Sequence, residues 1–425
     1  MKRILTWILA LMCVCTLNVQ AEGETATPES TATPTAAAAS TTAVETSAKG
    51  AVLMDATSGS VLFENNSTAH LDPASLTKIM SVYLATEKLT PDQELTMSDT
   101  AFQTYSHNSG VLWIQNGETM TAVSAEYASL LASANDTTAM LAEGVSGDQD
   151  TFIALMNSTA QSIGMGDTNF QNIFGTNNEE NYSSAKDIAT LVQTALKNTT
   201  FKKIFGTSGY VMAATNLTSE RPIGNDCELL PGQDSAYEYT TGCKIGSTQE
   251  GGYALAASAE KDGTTLIAVV LGETDAATAY ADVQKMLDYG FSSYHTITLS
   301  GSDVGSKTVA VYSGKKHTYD VVFTENSDFS LLVSSSIDKS QITMDIVTQH
   351  EDLEDPNQIT ASVVFSIDGT QVGSVPMKAE ITEIDNSFSA TVEPQISQYF
   401  DYACIVILAL VLIYEIGRKL SPPAE

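Results

Sequence analysis

A serine and a lysine three residues apart, at the start of an apolar helical segment, constrain this chain most. Asp72 followed by a proline is typical of a helix start, because aspartate caps the first amides and proline suits the first helical position. Apolar residues then recur at helical spacing and predict a buried stripe formed by Leu76, Ile79, Met80, Tyr83 and Leu84. Ser75 is therefore predicted in the first turn of a core helix, with Lys78 on the same face.

The Ser75–Lys78 pair is suited to nucleophilic catalysis. A serine hydroxyl is a weak nucleophile unless a neighbouring base removes its proton. A lysine can act as that base only as the neutral amine, and its ordinary pKa is about 10.4, so its surroundings must lower this value. The alternative is a solvated serine and lysine on a helix surface. It is disfavoured because residues 73–80 are mostly apolar and carry a single charge.

Two short segments downstream supply further residue types that a serine acyl-transfer site needs. Ser133-Ala134-Asn135 has the form S-x-N, and Lys244-Ile245-Gly246 is a variant of K-T-G. Together with S-x-x-K at 75–78, they stand in the order and at the separation typical of serine enzymes that recognise penicillin. Each segment alone is a weak signal, but the three together are a strong one. The candidate site residues are Ser75, Lys78, Ser133, Asn135, Lys244 and Gly246.

The two ends of the chain predict export and membrane attachment. Residues 1–21 have a basic start, an apolar run and a small final residue, as in a secretory signal peptide. Residues 22–49 are rich in Thr, Ala, Ser and Pro and predict a flexible linker. Residues 399–417 are mostly apolar, with aromatic residues at their start and basic residues after them. They predict a single membrane helix, with 418–425 as a short cytoplasmic tail and the catalytic body outside the cell.

The alternative for residues 399–417 is a helix that lies in the membrane interface. It is disfavoured because the run lacks the polar face that such a helix requires.

Between these ends, the pattern predicts an α+β body followed by a smaller all-β domain. Strand signals open the body at 51–55 and 61–64 and return at 253–259 and 266–271, with helical patterns between them. For residues 50–295 this order predicts one antiparallel sheet with a helical insertion. For residues 296–395, short alternating runs separated by polar turns predict a sandwich-like domain without a catalytic constellation.

Composition argues against several classes of function. The formal charge of −31 disfavours nucleic-acid binding, for which a basic stripe is expected. The histidines are scattered without metal-ligand spacing and give no Ser-His-Asp set, so neither a metal nor another cofactor is predicted. Cys227 and Cys243 are the only cysteines in the predicted exported body. They form either a disulfide, which an oxidising compartment permits, or two free thiols.

These segments together resemble the D-alanyl-D-alanine carboxypeptidases, which are low-molecular-mass penicillin-binding proteins. The resemblance runs from about Gly50 to Tyr294 and is carried by residues 52–55, 73–80, 117–119, 130–136, 181–187 and 252–259. It implies a β-lactamase/transpeptidase-like fold. It also implies removal of the terminal D-Ala from peptidoglycan stem pentapeptides.

The resemblance further implies that Ser75, Lys78 and Ser133 are catalytic and that Asn135, Lys244 and Gly246 bind the substrate. Ser75 would form the acyl-enzyme, with Lys78 as its base, and Ser133 would relay a proton to the leaving amine. Asn135 would hold the substrate backbone, and Lys244 would attract the terminal carboxylate. β-Lactams, as mimics of the substrate, would acylate the same serine.

Two departures from the family pattern bear on the expected rate. Ile245 stands where the family has threonine or serine, so a hydroxyl that bonds the substrate carboxylate is missing. Ile173-Phe174-Gly175 stands where the family often has Pro-His-Gly. Two alternatives stay open, the first because it shares the fold and the first two motifs, and the second because of Ile245. One is a β-lactamase, although the β domain and membrane tail are not expected of it, and the other is a weakly active or non-catalytic wall-binding relative.

Overall fold

The structure is a computed structural model that describes residues 44–105, 110–176, 179–325, 327–350 and 353–384. The predicted signal peptide, most of the predicted linker, the predicted membrane helix at 399–417 and the tail at 418–425 lie outside these ranges. Among the described residues, no helix combines the length and the apolar character needed to cross a membrane.

The first part of the described chain contains helices and strands in alternation. Its strands are β1 (Gly50–Asp55), β2 (Val61–Asn65), β3 (Glu94–Thr96), β4 (Thr119–Thr121), β5 (Gly209–Met212), β6 (Arg221–Gly224), β7 (Thr240–Thr248), β8 (Gly252–Lys261) and β9 (Thr264–Glu273). Its helices are α1 (Thr77–Lys88), α2 (Asp99–Gln103), α3 (Ala122–Leu131), α4 (Asn135–Ser146), α5 (Gln149–Ser162), α6 (Ala185–Ala195), α7 (Thr199–Phe205) and α8 (Ala276–Ser293).

Five of these strands form one antiparallel sheet in the order β2-β1-β9-β8-β7. Strands β8 and β9 are joined by Asp262 and Gly263, whose φ values of 49° and 78° suit a two-residue hairpin turn. The predicted α+β arrangement, an antiparallel sheet with helices inserted between its strands, is confirmed.

The sheet is buried on both faces because alternate residues of its inner strands enter different cores. One core lies against α8 and includes Leu53, Leu255, Ala257, Leu266 and Val270. The other lies against the inserted helices and includes Val52, Met54, Ala256, Ile267 and Val269. Helix α1 runs through this second core, where Ile79 and Met80 are fully buried, as the helical spacing predicted.

Two boundaries differ from the sequence prediction. Residues 74–76 form a 3-10 turn, so the α-helix begins only at Thr77. Asp72 does cap this turn, since its Oδ1 accepts a hydrogen bond from the amide of Ala74 at 2.8 Å. Before β1, Ala48 is buried and the amide of Ser47 donates to Asp282 Oδ2 at 2.7 Å, so packing begins inside the predicted linker.

The second part of the described chain is built of strands and short 3-10 turns. Its strands are β10 (Tyr294–Leu299), β11 (Ser306–Ser313), β12 (Lys316–Thr324), β13 (Phe329–Ser334), β14 (Ile342–Gln349), β15 (Thr360–Ile367), β16 (Thr370–Pro376) and β17 (Lys378–Glu383). They pair as β10-β13, β11-β12-β17 and β14-β15-β16. Residues from all three sheets share one apolar core, with Phe323, Val363 and Phe365 at its centre.

Candidate active site

Ser75 lies in the 3-10 turn, half-buried, with strand β7 pressed against it. A Cβ atom on Gly246 would lie 2.6 Å from the Ser75 amide nitrogen and 2.7 Å from its Cβ. Only glycine therefore lets β7 approach the predicted nucleophile this closely. Thr248 fixes the same junction from the far end of β7, since its hydroxyl donates to Asp72 Oδ2.

Lys78, three residues after Ser75, has a buried side chain. Its side chain is 2% exposed, and its Nζ donates to the backbone oxygen of Phe174 at 2.8 Å. Burial lowers the pKa of Lys78 well below its ordinary value, the charge of Lys244 lowers it further, and Asp226 and Asp136 oppose the shift. The neutral amine that a general base requires is therefore favoured, as the apolar surroundings predicted.

The carbonyl that receives Lys78 is positioned by a rigid turn. Asn172 Oδ1 accepts hydrogen bonds from the amides of Phe174 at 3.1 Å and Gly175 at 2.7 Å. Gly175 has φ +78°, and a Cβ atom there would lie 1.6 Å from the backbone oxygen of Ala74. In the sequence, residues 173–175 stand out only as a departure from the family. The signal for this turn is an asparagine three residues before a glycine, which is typical of a turn closed by a side chain.

Ser133 and Lys244 form a second contact between the helical region and strand β7. Ser133 sits between α3 and α4 with φ +54°, and Lys244 Nζ donates a hydrogen bond to its hydroxyl oxygen. Lys244 is fully buried, and burial lowers its pKa to about 8, against the opposing effect of Asp226. This amine is therefore mostly protonated at neutral pH and poised near its midpoint in mild alkali.

Asn135 opens α4 immediately after this contact and is 8% exposed. The backbone N–H of Asn135 donates to the backbone oxygen of Gly110 at 2.6 Å. The next residue, Asp136, was missed by the sequence analysis. Its buried Oδ2 accepts from the amides of Leu112 at 2.8 Å and Ile114 at 3.1 Å. Residues 110–114 are thereby fixed to the start of α4.

Ile245 belongs to the apolar core on the α8 side of the sheet, together with Cys243, and is 8% exposed. Its neighbours along β7, Lys244 and Gly246, contact the two serines instead. The residue that replaces the family's hydroxyl therefore contributes apolar packing beside the site.

Cys227 and Cys243 form a disulfide, which decides between the two alternatives left by the sequence. Both cysteines are buried, and Cys243 precedes Lys244. On the other side of the bridge, the amide of Asp226 donates to the backbone oxygen of Leu131 at 2.9 Å. The bridge thus joins β7 to a segment that is itself bonded to the end of α3, close to Ser133.

The structure links the predicted site residues through two contacts, Gly246 on Ser75 and Lys244 on Ser133. Lys244 also lies close enough to Lys78 for its charge to lower the pKa of Lys78. Asn135 lies next to the Lys244–Ser133 contact because it follows Ser133 by two residues. Within the described ranges, no group of three or more His, Cys, Asp or Glu side chains is placed to hold a metal ion.

Comparison with known proteins identifies the family. The family model of D-alanyl-D-alanine carboxypeptidases matches residues 35–275. The chain is also 32% identical to the D-alanyl-D-alanine carboxypeptidase DacF of Bacillus subtilis over 345 residues, which cover 78% of this chain and 85% of that protein. The chain belongs to the D-alanyl-D-alanine carboxypeptidase family. The resemblance inferred from the motifs is confirmed.

The chain is also similar to other proteins, in sequence or in structure. DacC of Escherichia coli is 31% identical over 289 residues, covering 63% of this chain and 67% of that protein. Among solved structures, penicillin binding protein 5 of Haemophilus influenzae aligns with a TM-score of 0.68 at 25% identity, over 81% of this chain and all of that chain. The Streptomyces K15 DD-transpeptidase aligns with a TM-score of 0.55 at 26% identity, over 59% and 99% of the two chains.

Proposed function

We propose that this protein is a serine-type D-alanyl-D-alanine carboxypeptidase that removes the terminal D-Ala from peptidoglycan stem pentapeptides. The observation that carries the proposal is a pair of buried lysines whose pKa values are lowered to different extents. Lys78 is three residues from the partly exposed Ser75, and Lys244 donates a hydrogen bond to Ser133. Lys78 is buried so that its neutral form is favoured, whereas Lys244 keeps most of its charge at neutral pH. One amine is thus suited to accept a proton and the other to attract an anion.

In acylation, Ser75 Oγ forms a bond to the carbonyl carbon of the penultimate D-Ala while Lys78 Nζ takes its proton. The C–N bond then breaks, and the departing amine of the terminal D-Ala takes the proton of Ser133. Lys78 returns a proton to Ser133 and is neutral again. Because Lys244 donates into the Ser133 oxygen, the hydrogen of that hydroxyl is free to point toward the leaving amine.

In deacylation, water attacks the ester carbonyl while Lys78 Nζ accepts its proton. The bond between the carbonyl carbon and Ser75 Oγ then breaks, and Lys78 returns the proton to Ser75 Oγ, which releases the shortened peptide and restores the free enzyme. The charge of Lys244 attracts the terminal carboxylate of the substrate, and Asn135 holds its backbone. Because Gly246 has no side chain, the peptide has room to lie along β7 next to Ser75. A β-lactam carries a similar carbonyl and carboxylate, so it acylates the same serine.

Mass spectrometry of the exported body with a pentapeptide ending in D-Ala-D-Ala tests the function. The wild type should release one alanine per peptide and form a covalent adduct with penicillin at Ser75. Ser75→Ala should lose both activities, while Ser158→Ala, on an exposed position of α5, should keep them. Adduct formation by Ser75→Ala at the wild-type rate would refute the nucleophile assignment. Rapid penicillin hydrolysis without alanine release would favour the β-lactamase alternative.

We further propose that residues 50–295 are the catalytic domain and 296–395 a separate β domain of an exported protein. Residues 399–417 would hold it at the outer face of the cell membrane, with 418–425 in the cytoplasm. The support is the signal-like start of the chain and the apolar run followed by Arg418 and Lys419. Deleting 399–425 should release a soluble, active enzyme from cells, whereas retention on membranes would place the anchor elsewhere.

A further inference from the structure

Trp113 presents its side chain to solvent from a strained backbone position. It is 70% exposed, more than any other large hydrophobic side chain among the described residues. Its φ is +60°, a value that bulky residues rarely adopt. Strain of this kind costs about 1–3 kcal/mol, persists only where surrounding contacts impose it, and concentrates at functional sites.

Buried carboxylates impose this conformation from both sides. The amides of Leu112 and Ile114, which flank the tryptophan, both donate to the buried Asp136. The backbone oxygen of Leu112 also accepts from Arg221 Nη1 at 3.2 Å, and Arg221 is paired with the fully buried Glu118. The exposure of the indole is therefore a fixed feature of the fold.

The same segment is continuous with the active site. A Cβ atom on Gly110 would lie 2.9 Å from Asn135 Nδ2 and 3.5 Å from the backbone oxygen of Ser133. Three residues of extended chain span about 10 Å, so Trp113 lies within that reach of the residues that would hold the substrate backbone.

A cavity of about 570 Å³ opens beside the indole. Its lining is largely apolar and contains no charged side chain, and it consists of Phe102, Tyr105, Val111, Trp113, Ile114, Gln115 and Asn116. A volume of this order suits a small organic group, and the lining suits an aliphatic one.

We propose that Trp113 and this cavity bind the aliphatic side chain of the residue that precedes D-Ala-D-Ala in the substrate. Trp113 is then a specificity-determining residue on the acyl side of the reaction, an inference that rests on the proposed function. The terminal carboxylate of the substrate binds at Lys244, so the N-terminal part of the peptide extends away from Lys244. It then lies along Asn135 and Gly110, and the chain continues from Gly110 to Trp113. Because an extended peptide advances about 3.4 Å per residue, the residue before D-Ala-D-Ala comes within reach of the indole.

Two peptides that differ only at that residue test the inference. Acetyl-X-D-Ala-D-Ala, with X either Nε-acetyl-lysine or alanine, presents the same scissile bond with a long or a short side chain. Trp113→Asn removes the ring and keeps a residue that tolerates positive φ, and Trp113→Phe keeps an aromatic ring. We expect Trp113→Asn to lower kcat/KM about tenfold for the lysine peptide, as loss of about two buried methylene contacts would, and to leave the alanine peptide and penicillin acylation unchanged. Trp113→Phe should keep most of the preference.

Leu217→Asn is the matched control, because Leu217 is 49% exposed and does not line the cavity. It should leave both peptides unchanged. An equal loss on both peptides in Trp113→Asn would overturn the inference, because the tryptophan would then only shape the site. Unchanged kinetics on both would overturn it too. A wild-type enzyme inactive on both peptides would overturn the proposed function itself, and this inference with it.

Discussion

Lys244 must carry a positive charge to attract a carboxylate, yet the fold buries it completely. Burial lowers its pKa to about 8. Its protonated fraction therefore falls about fivefold between pH 8 and pH 9 and about tenfold per further unit. We expect kcat/KM for a peptide with a free terminal carboxylate to fall by the same factors. The physical reason is that the neutral amine no longer attracts the anion.

The assay compares that peptide with its methyl ester between pH 6 and pH 10. The ester carries no terminal charge, so its kcat/KM should lack the decrease that begins near pH 8. A bound carboxylate raises the pKa of Lys244, because an opposite charge favours the protonated form. The decrease in kcat, which reports the complex, should therefore begin at higher pH than the decrease in kcat/KM, which reports the free enzyme.

Equal decreases for the acid and the ester would refute this reasoning, since the titrating group would then act on the chemistry and not on the carboxylate. Thermal unfolding at pH 9 serves as the control for loss of fold. Asp226→Asn provides an independent check with a definite sign. Asp226 raises the pKa of Lys244, so its removal should move the decrease for the acid substrate below pH 8, whereas Glu228→Gln should not.

Three further predictions concern single sites. Gly175→Ala should lower the rate of penicillin acylation at least tenfold and the free energy of unfolding by about 2–4 kcal/mol, because the new Cβ meets the backbone oxygen of Ala74, next to Ser75. The control is Gly164→Ala, at φ +87° with open space around it, which should cost only the backbone strain and leave acylation intact. Replacing both Cys227 and Cys243 by serine should lower the free energy of unfolding by about 3 kcal/mol and slow acylation, and an unchanged acylation rate would show that the bridge does not position β7. Burial raises the pKa of Glu126 from 4.5 to about 7, so the native state holds a proton that the unfolded chain loses. Glu126 should therefore contribute a fall in stability of about 3 kcal/mol as pH rises through that window. In urea titrations of Glu126→Gln, the total fall should be smaller by about that amount.

The sequence predicted best where side-chain chemistry and local periodicity carry the information. Motif spacing indicated the six candidate site residues, whose roles stay predictions. Strands β1, β2, β8 and β9 were found because strand residues are strongly apolar. The short pairs β3-β4 and β5-β6 were missed, since strands of three or four residues show too little alternation to be read.

The rest of the site could not be predicted because it depends on backbone atoms and on distant partners. The oxygen of Phe174 that receives Lys78 is present in every residue type and leaves no mark on the sequence. The role of Asp136 depends on two amides more than twenty positions earlier in the chain, which only the fold brings to it. Ile245 was interpreted from its motif position alone, whereas its packing depends on the face of β7 that it occupies.

The order of the strands in the sheet has a consequence for how the protein matures. β1 lies near the start of the folded body, but its inner partner is β9, with Val52 opposite Val269. Closing so long a loop is entropically costly, and contacts between distant residues slow folding. A chain that is still being synthesised therefore lacks a complete sheet until β9 has followed. Strand β7, which carries Lys244, is made only shortly before β9. The predicted nucleophile, Ser75, is therefore synthesised long before the enzyme can become active.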